Sequence, residues 1–413
     1  MEINWLNVCF NIVDGYIPRD FADIESKKKF VDIAPHSMSV AEHSRIYSDT
    51  NEDLLKTAGI YHVLGDGYFF IGDYRTSLEA NQNALSIRRD ILGEKHLDTS
   101  ESYNSMGLVY KNQGEYDLAL EYYNKALLIR ETALGSDHVD TALSYNNIAG
   151  VYTKKGDYDM ALERYNKALE IRRKVLGEEH PLTAAVYNNI GLVYDDKGEN
   201  EVALGYYLKD LEISEKAFGT EHIETAITYN NMGEAYTIIG ESDKSLEYLE
   251  KALTVFLKIL GEEHPYTAIN YNNTGDVYNR EREYGKALEY YSKAMVIREK
   301  VLRKDHPDTA TTYNSMAEVY NAKGEFCTAL EYLHKALPIR KKTLGEEHLY
   351  TATIYKNMAY AYKNENKPIK ALELYEKAFY IFENNLRENH ALIISVSENI
   401  RELRSRLDRM GNE

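Results

Sequence analysis

Gly177-Glu-Glu-His-Pro-Leu-Thr-Ala-Ala-Val-Tyr-Asn-Asn-Ile-Gly-Leu-Val-Tyr194 is the stretch that decides how this chain folds. Tyr187, Ile190, Gly191 and Tyr194 stand at i, i+3, i+4 and i+7, which gathers them on one face of a helix. Pro181 suits the first helical position, where a missing N–H costs nothing, and His180 before it falls near the N-cap. Thr183 is placed to bond locally in that first turn. Gly198 then interrupts, able to take the left-handed conformation that ends a helix. A second helix follows, with Ala203, Leu204, Tyr207 and Leu211 inward. In the preceding unit that helix reads Ala161, Leu162, Tyr165, Ala168, Leu169 and is closed by Gly177.

The pattern repeats every 42 residues. His96, His138, His180, His222, His264, His306, His348 and His390 mark the grid. So do Thr57, Thr99, Thr141, Thr183, Thr225, Thr267, Thr309 and Thr351, and two tyrosine series that begin at Tyr61 and Tyr68. Eight units without insertion or deletion run from 57 to 392. No single pair of helices can bury its apolar face, so the pairs must stack on one another. The expected fold is all-α, a right-handed α-solenoid of helix-turn-helix repeats. Small residues such as Gly191 and Ala203 let helices approach, and tyrosine rings fill the remaining space, which accounts for 36 Tyr against 10 Phe and one Trp. Propeller blades are excluded by the absence of period-2 strands and of a Trp-Asp dipeptide.

Outside the grid, residues 1–56 read as an N-terminal cap or extension, with Trp5, Phe10, Tyr16, Ile17, Phe21 and Phe30 to pack on the first unit. Residues 393–413 read as a C-terminal capping helix with an apolar stripe of Ile393, Val396, Ile400, Leu403, Leu407 and Met410. Two local irregularities stand out. Pro338 falls inside a second helix and is expected to kink or shorten it, and Arg282 replaces a turn glycine, so that turn is expected to differ.

Tyr187-x2-Ile190-Gly191-x2-Tyr194 followed by Ala203-x3-Tyr207 resembles the tetratricopeptide pattern, with Tyr in place of its Trp and Phe. The 42-residue period and the wording His-Pro-x-Thr-Ala-x-x-Tyr-Asn-Asn are similar to the repeats of kinesin light chain. The resemblance covers 57–392 and implies a protein-interaction module whose first helices line a concave groove, with asparagine amides gripping an extended peptide. It departs from that family in lacking the heptad coiled coil of a motor subunit.

Composition narrows the partners. A net charge of −17 repels phosphate backbones and anionic lipid, so neither nucleic acid nor membrane is expected. The longest basic run, Lys27-Lys28-Lys29, is too short to reverse this. Cys9 and Cys327 lie far apart without metal-ligand spacing, and no apolar stretch is long enough to span a bilayer. With no secretory leader legible after Met1, the expectation is a cytoplasmic monomer. No metal or cofactor is expected: the histidines are dealt one per unit and cannot converge on an ion. No phosphate loop, dinucleotide fingerprint, zinc-protease helix or nucleophile elbow is present, so no catalytic residues are assigned and the chain is read as no enzyme.

The candidate peptide-binding residues are Asn104, Asn146, Asn188, Asn230, Asn272 and Asn314, one per unit. Asparagine is an indifferent helix former, so its recurrence there asks for a role. An amide donates and accepts at once and suits peptide backbone groups, each bond contributing about 0.5–1.5 kcal/mol net. The series one residue on, Asn147, Asn189, Asn231, Asn273 and Asn357, is expected to bond neighbouring helices instead. Selectivity then falls to side chains one and two turns further. The sequence there begins apolar and slightly basic (Leu108, Lys111), turns acidic at Asp195, Glu234, Asp276 and Glu318, and ends aromatic at Tyr360. The expected ligand is a protein or peptide segment with Lys or Arg at its centre, and the expected function is a scaffold or adaptor. The alternative is a regulatory or sensor arm of a larger enzyme, which a reading frame extending upstream of Met1 would favour. A self-assembling spacer is a third class.

Overall fold

The computed structural model describes residues 24–48, 50–302, 304–385 and 391–410. Among these, eighteen helices and no strand occur. They are α1 (Ile24–Tyr47), α2 (Asn51–Phe70), α3 (Tyr74–Leu92), α4 (Leu97–Gln113), α5 (Tyr116–Leu134) and α6 (Val139–Lys155). Next come α7 (Tyr158–Leu176), α8 (Pro181–Asp196), α9 (Asn200–Phe218), α10 (Ile223–Ile239), α11 (Ser242–Ile259) and α12 (Pro265–Arg280). The last six are α13 (Tyr284–Val301), α14 (Pro307–Lys323), α15 (Phe326–Leu344), α16 (Leu349–Asn364), α17 (Pro368–Asn385) and α18 (Ala391–Met410). Even-numbered helices from α2 to α16 open each pair and odd-numbered helices close it, the α-solenoid arrangement. The chain forms two compact units. One reaches Ala235 and includes Lys251–Glu262; the other holds Tyr236–Glu250 and the residues from Glu263 onward.

The join between pairs shows why the sequence breaks where it does. Gly177 caps α7 at φ 94°, ψ 169°, a region closed to residues with a Cβ. Its carbonyl accepts from the hydroxyl of Thr183 at 2.9 Å, and the same bond joins Thr99 to Gly93, Thr141 to Gly135, Thr225 to Gly219 and Thr351 to Gly345. The histidine between them is the N-cap: His180 Nδ1 accepts from the backbone N–H of Leu182 at 3.1 Å, and His96, His138, His222, His264, His306 and His348 repeat the contact. These imidazoles therefore hold helix starts, and among the described residues no group of His, Cys, Asp or Glu is arranged to hold a metal.

Within a pair, the turn glycine is left-handed, as at Gly114, Gly156, Gly198 and Gly324. Arg282 takes the same conformation, φ 61°, and so does Asn366. The turn is thus kept despite the change of residue, at the expense of backbone strain. We expect Arg282→Gly to raise stability by about 1 kcal/mol, read from the urea midpoint. The other irregularity does not shorten its helix. With Pro338 on its exposed side, α15 keeps the 19 residues of α3, α5, α7 and α9.

Packing follows the repeat. In the first unit Ala119, Ala161, Ala203, Tyr123 and Tyr207 are fully buried, and in the second Ala287, Ala329, Ala371 and Tyr291 are. A further tyrosine pair stacks where two helices of a pair meet: Tyr110 on Tyr122 at 5.3 Å, Tyr194 on Tyr206 at 5.5 Å, Tyr278 on Tyr290 at 5.5 Å, Tyr320 on Tyr332 at 5.6 Å. A lysine covers such rings, as Lys209 does over Tyr206 at 5.5 Å. The abundance of tyrosine is therefore structural.

At the N-terminal side α1 packs on α2, and Phe30 is fully buried with its ring 5.2 Å from that of Tyr68. Trp5, Phe10, Tyr16, Ile17, Phe21 and Cys9 lie outside the described residues. At the other end α18 packs on α17, burying Ile393, Val396, Ile400 and Leu403 while Arg401, Arg404 and Arg409 stay exposed.

Candidate groove site

The two asparagine series prove to be one ladder. Asn147 Nδ2 donates to Asn104 Oδ1 at 2.8 Å, Asn189 to Asn146 at 2.9 Å, Asn231 to Asn188 at 2.9 Å, and Asn357 to Asn314 at 2.9 Å. Each rung ties the first helix of one pair to the first helix of the next, so the amides fix the relative position of neighbouring repeats. Asn188, Asn230 and Asn272 are buried, whereas Asn104, Asn146 and Asn314 are half-buried. An amide whose oxygen already accepts has its N–H2 group as the main capacity left for other partners.

What those N–H2 groups meet changes along the chain. Asn188 Nδ2 donates to Asp210 at 2.8 Å and lies 3.3 Å from the Thr228 hydroxyl. Asn272 donates to Asp276 at 3.1 Å, and Asn314 to Glu318 at 3.1 Å. In these three the donor is matched to a carboxylate. Among the described residues Asn104 and Asn146 have no such acceptor.

Asp210 is the departure that reading by repeat position would have exposed. Ala84, Ala126, Ala168, Ala252, Ala294, Ala336 and Ala378 occupy its place elsewhere, and Ser214 stands where Arg88, Arg130, Arg172, Arg298 and Arg340 do. Those arginines are buried, and burial lowers the pKa of Arg172 to about 10. Arg130 donates to the Asp140 carbonyl at 3.2 Å and the Ser144 hydroxyl at 2.9 Å; Arg88 and Arg298 do the same one and four units away. Asp210 instead accepts from Asn188, from Ser214 at 3.0 Å and from Thr228, and burial pushes its carboxyl pKa up.

The acidic candidates are not equivalent. Asp195 is half-buried, accepting from the Tyr207 hydroxyl at 2.7 Å and Asn200 Nδ2 at 2.8 Å. Burial, with Glu234 of the next pair and Asp196 adding repulsion, raises its pKa to about 7 against the lowering effect of those two bonds. Glu234 is exposed. Asp276 accepts from Tyr291 at 2.5 Å, the arrangement of Asp195 and Tyr207 with the carboxylate one turn earlier on its helix. Glu318 is half-buried and accepts from both Asn314 and Asn357.

A carboxyl whose folded pKa lies above its unfolded value binds its proton more tightly when folded. Stability therefore falls as pH rises from about 4 to about 7 and levels off above. For Asp195 we expect a loss of roughly 2 kcal/mol across that window, after discounting for partial exposure. Denaturation at pH 5 and pH 8 checks it, because Asp195→Asn should flatten the difference.

The basic end was under-read from sequence. Lys111 is half-buried, without a hydrogen-bond or ion-pair partner among the described residues, and burial, then Lys154, brings its pKa down to about 8. The hydroxyl of the fully buried Tyr123 also lacks a partner.

Seven overlapping segments of the chain, 56–132, 102–172, 140–216, 196–258, 224–300, 267–327 and 308–384, match the model of the tetratricopeptide repeat. The chain belongs to the tetratricopeptide repeat family. Its units are of the 42-residue, kinesin light chain-like kind. Among solved structures, the Rap conjugation gene regulator of plasmid pLS20, in complex with a Phr peptide, is 16% identical over 82% of this chain and 96% of its own, with a TM-score of 0.59. Aspartyl phosphate phosphatase F from Bacillus subtilis is 15% identical, covering 84% and 86%, at a TM-score of 0.54. A Podosopora anserina protein of kinesin light chain type with nearly identical TPR-like repeats is 25% identical over 51% of this chain and 100% of its own, at 0.39. No curated protein matches the chain. Among the described residues no helix is long and apolar enough to cross a membrane.

Proposed function

We propose that this tetratricopeptide repeat protein is a non-catalytic scaffold that binds an extended peptide along the groove-facing side of its first helices, acting as a cytoplasmic monomer. The eight pairs of 57–392 carry the ligand, and residues 1–56 and 393–413 close the two ends. The observation that carries the reading is the series of polar side chains presented one per repeat at the same helical positions. Asn104, Asn146, Asn188, Asn230, Asn272 and Asn314 form or flank a ladder, and Asp195, Glu234, Asp276 and Glu318 follow one or two turns on. A repeat distance set by the ladder presents matching groups at regular intervals to a chain that itself repeats. A protein of the same fold solved with a peptide bound supports the mode.

Because Asn188 and Asn272 also hold neighbouring repeats together, they serve chiefly to position the groove, and the accessible carboxylates select the ligand. The centre of the bound peptide is cationic. The test is fluorescence anisotropy at low salt with a twelve-residue peptide bearing two central arginines, against its glutamate counterpart. We expect the arginine peptide to bind about tenfold more tightly, and Glu234→Gln with Glu318→Gln to remove most of that margin. Equal affinity for the two peptides overturns the assignment.

A further inference from the structure

Asn357, on α16, gathers three groups of different chemistry. Its Nδ2 donates to Glu318 Oε1 at 2.8 Å, and its backbone carbonyl accepts from Asn321 Nδ2 at 3.2 Å. Glu318 and Asn321 lie one turn apart on α14, and Tyr360 lies one turn beyond Asn357 on α16. Two acceptors and an aromatic ring thus stand round one asparagine.

Both acceptors have capacity to spare. Asn314 and Asn357 donate to the same oxygen of Glu318, at 3.1 and 2.8 Å, which leaves Oε2 without a partner among the described residues. Asn321 is only 7% exposed, and the Asn357 carbonyl fixes which end of its amide is nitrogen. Its Oδ1 is buried and accepts from nothing among the described residues. The repeat explains the missing donor. A tyrosine of the second helix serves this position in other units: Tyr207 donates to Asp195 at 2.7 Å, and the Tyr165 hydroxyl is bonded with Thr153. The counterpart here is Leu333, which has no proton to give. A buried acceptor left unmet is costly, so this one asks for a donor from outside the fold.

The ring is equally uncommitted. Tyr360 is 44% exposed, and no other unit has an aromatic residue at its place. It meets the ring of Phe326 at 66°, with centroids 6.3 Å apart. Lysines cover neighbouring tyrosines, as Lys323 covers Tyr320, Lys335 Tyr332 and Lys377 Tyr355, but among the described residues no cation lies over Tyr360. The two lysines nearest it along α16 are placed elsewhere. Lys363 turns to α18, where Asn399 and Glu402 accept from it at 2.9 and 2.6 Å, and Lys356 stands at the repeat position of Asn314, two turns short of Asn321.

We infer that α14 and α16 form a receptor for an arginine side chain of the bound peptide, its guanidinium lying against Tyr360 and donating to Glu318 Oε2 and, at its inner edge, to Asn321 Oδ1. Two acceptors beside an uncovered ring call for a cation with several donors and a flat face. A guanidinium is planar, carries five N–H donors in a fork and stacks on aromatic rings. An ammonium is a compact, strongly hydrated point charge that can meet one acceptor well but offers the ring no plane. The inference rests on the peptide-groove reading and sharpens it: at this end of the groove the cation is arginine, and lysine is the poorer ligand.

The test uses the full chain at low salt and four fluorescein-labelled, amidated peptides of Ser and Ala that differ at one central residue: arginine, lysine, glutamine or citrulline, the neutral isostere of arginine. Anisotropy should show the arginine form binding about tenfold more tightly than the lysine and citrulline forms, and the lysine form more tightly than the glutamine form. Tyr360→Leu should shrink the arginine-over-lysine ratio several-fold and leave the lysine form unchanged. Leu333→Tyr with Ala317→Gly restores the pairing of Tyr207 with Gly191 and so supplies an internal hydroxyl to the acceptors of α14. With helicity retained by circular dichroism, this double variant should bring the ratio close to one. An arginine preference that survives both changes lies elsewhere and overturns the assignment, and so does citrulline binding as tightly as arginine. Equal binding of the arginine and lysine forms, both above glutamine, overturns the arginine receptor and leaves the cation-selecting groove standing. Equal binding of all four forms, or none by any, overturns both.

Discussion

Asp210→Ala should lower stability by about 2–3 kcal/mol, and adding Ser214→Arg should recover most of it. The single change removes the acceptor for Asn188 Nδ2, the Ser214 hydroxyl and the Thr228 hydroxyl, all buried. Leaving a buried donor unmet costs about 1–3 kcal/mol, and relief of the desolvated carboxylate offsets part of the sum. No cavity penalty is expected, because alanine fills this place in seven other units. The rescue follows from the neighbours. An arginine at 214 would reach the Glu224 carbonyl and Thr228 hydroxyl, the counterparts of the Asp140 carbonyl and Ser144 hydroxyl that Arg130 uses. Urea unfolding gives the total, and hydrogen exchange over α8, α9 and α10 shows whether the change is local, as one-dimensional coupling requires. A single variant as stable as the parent, or a double variant no better than the single, would refute the account.

Gly191→Val should cost about 2–3 kcal/mol by overpacking against Tyr207. A Cβ at 191 falls 2.5 Å from the tyrosine ring, which is fully buried and tethered through its hydroxyl to Asp195. Gly191→Ala brings the same Cβ against the ring but none of valine's branching, so it is expected to cost less than valine. Ala149 already sits opposite Tyr165 at the same register, and alanine recovers about 1 kcal/mol of helix propensity. Gly191→Ala combined with Tyr207→Leu should be near neutral, since Ala317 and Leu333 form that pair in the second unit. Thermal midpoints of the three variants, measured together, decide whether ring contact or backbone freedom explains this glycine. If Gly191→Ala were as costly with Tyr207→Leu as without it, ring contact would not be the reason.

The departures from the repeat were as informative as the repeat itself. Arg282 and Pro338 both suggested altered local structure, yet the turn and the helix length were kept, because packing against the neighbouring helices outweighs the strain of one residue. Asp210 with Ser214, and Asn321 with Leu333, are equally visible in an alignment of the chain with itself. Their meaning required knowing which side chains share a neighbourhood.

Periodicity alone determined the helix pairs, their boundaries at the glycine joins, the capping role of His180 and its equivalents, and the buried small residues. Each depends on groups close in sequence or repeated at a set interval, so local chemistry suffices. The tertiary structure decided where each amide points. Asn104 and Asn147 are 43 residues apart and become partners only when two pairs stack, and that bond takes the oxygen a free amide would offer a ligand. It also decided which donors find carboxylates and which, like Tyr123 and Lys111, do not, because hydrogen-bond balance belongs to a three-dimensional neighbourhood and has no one-dimensional signature.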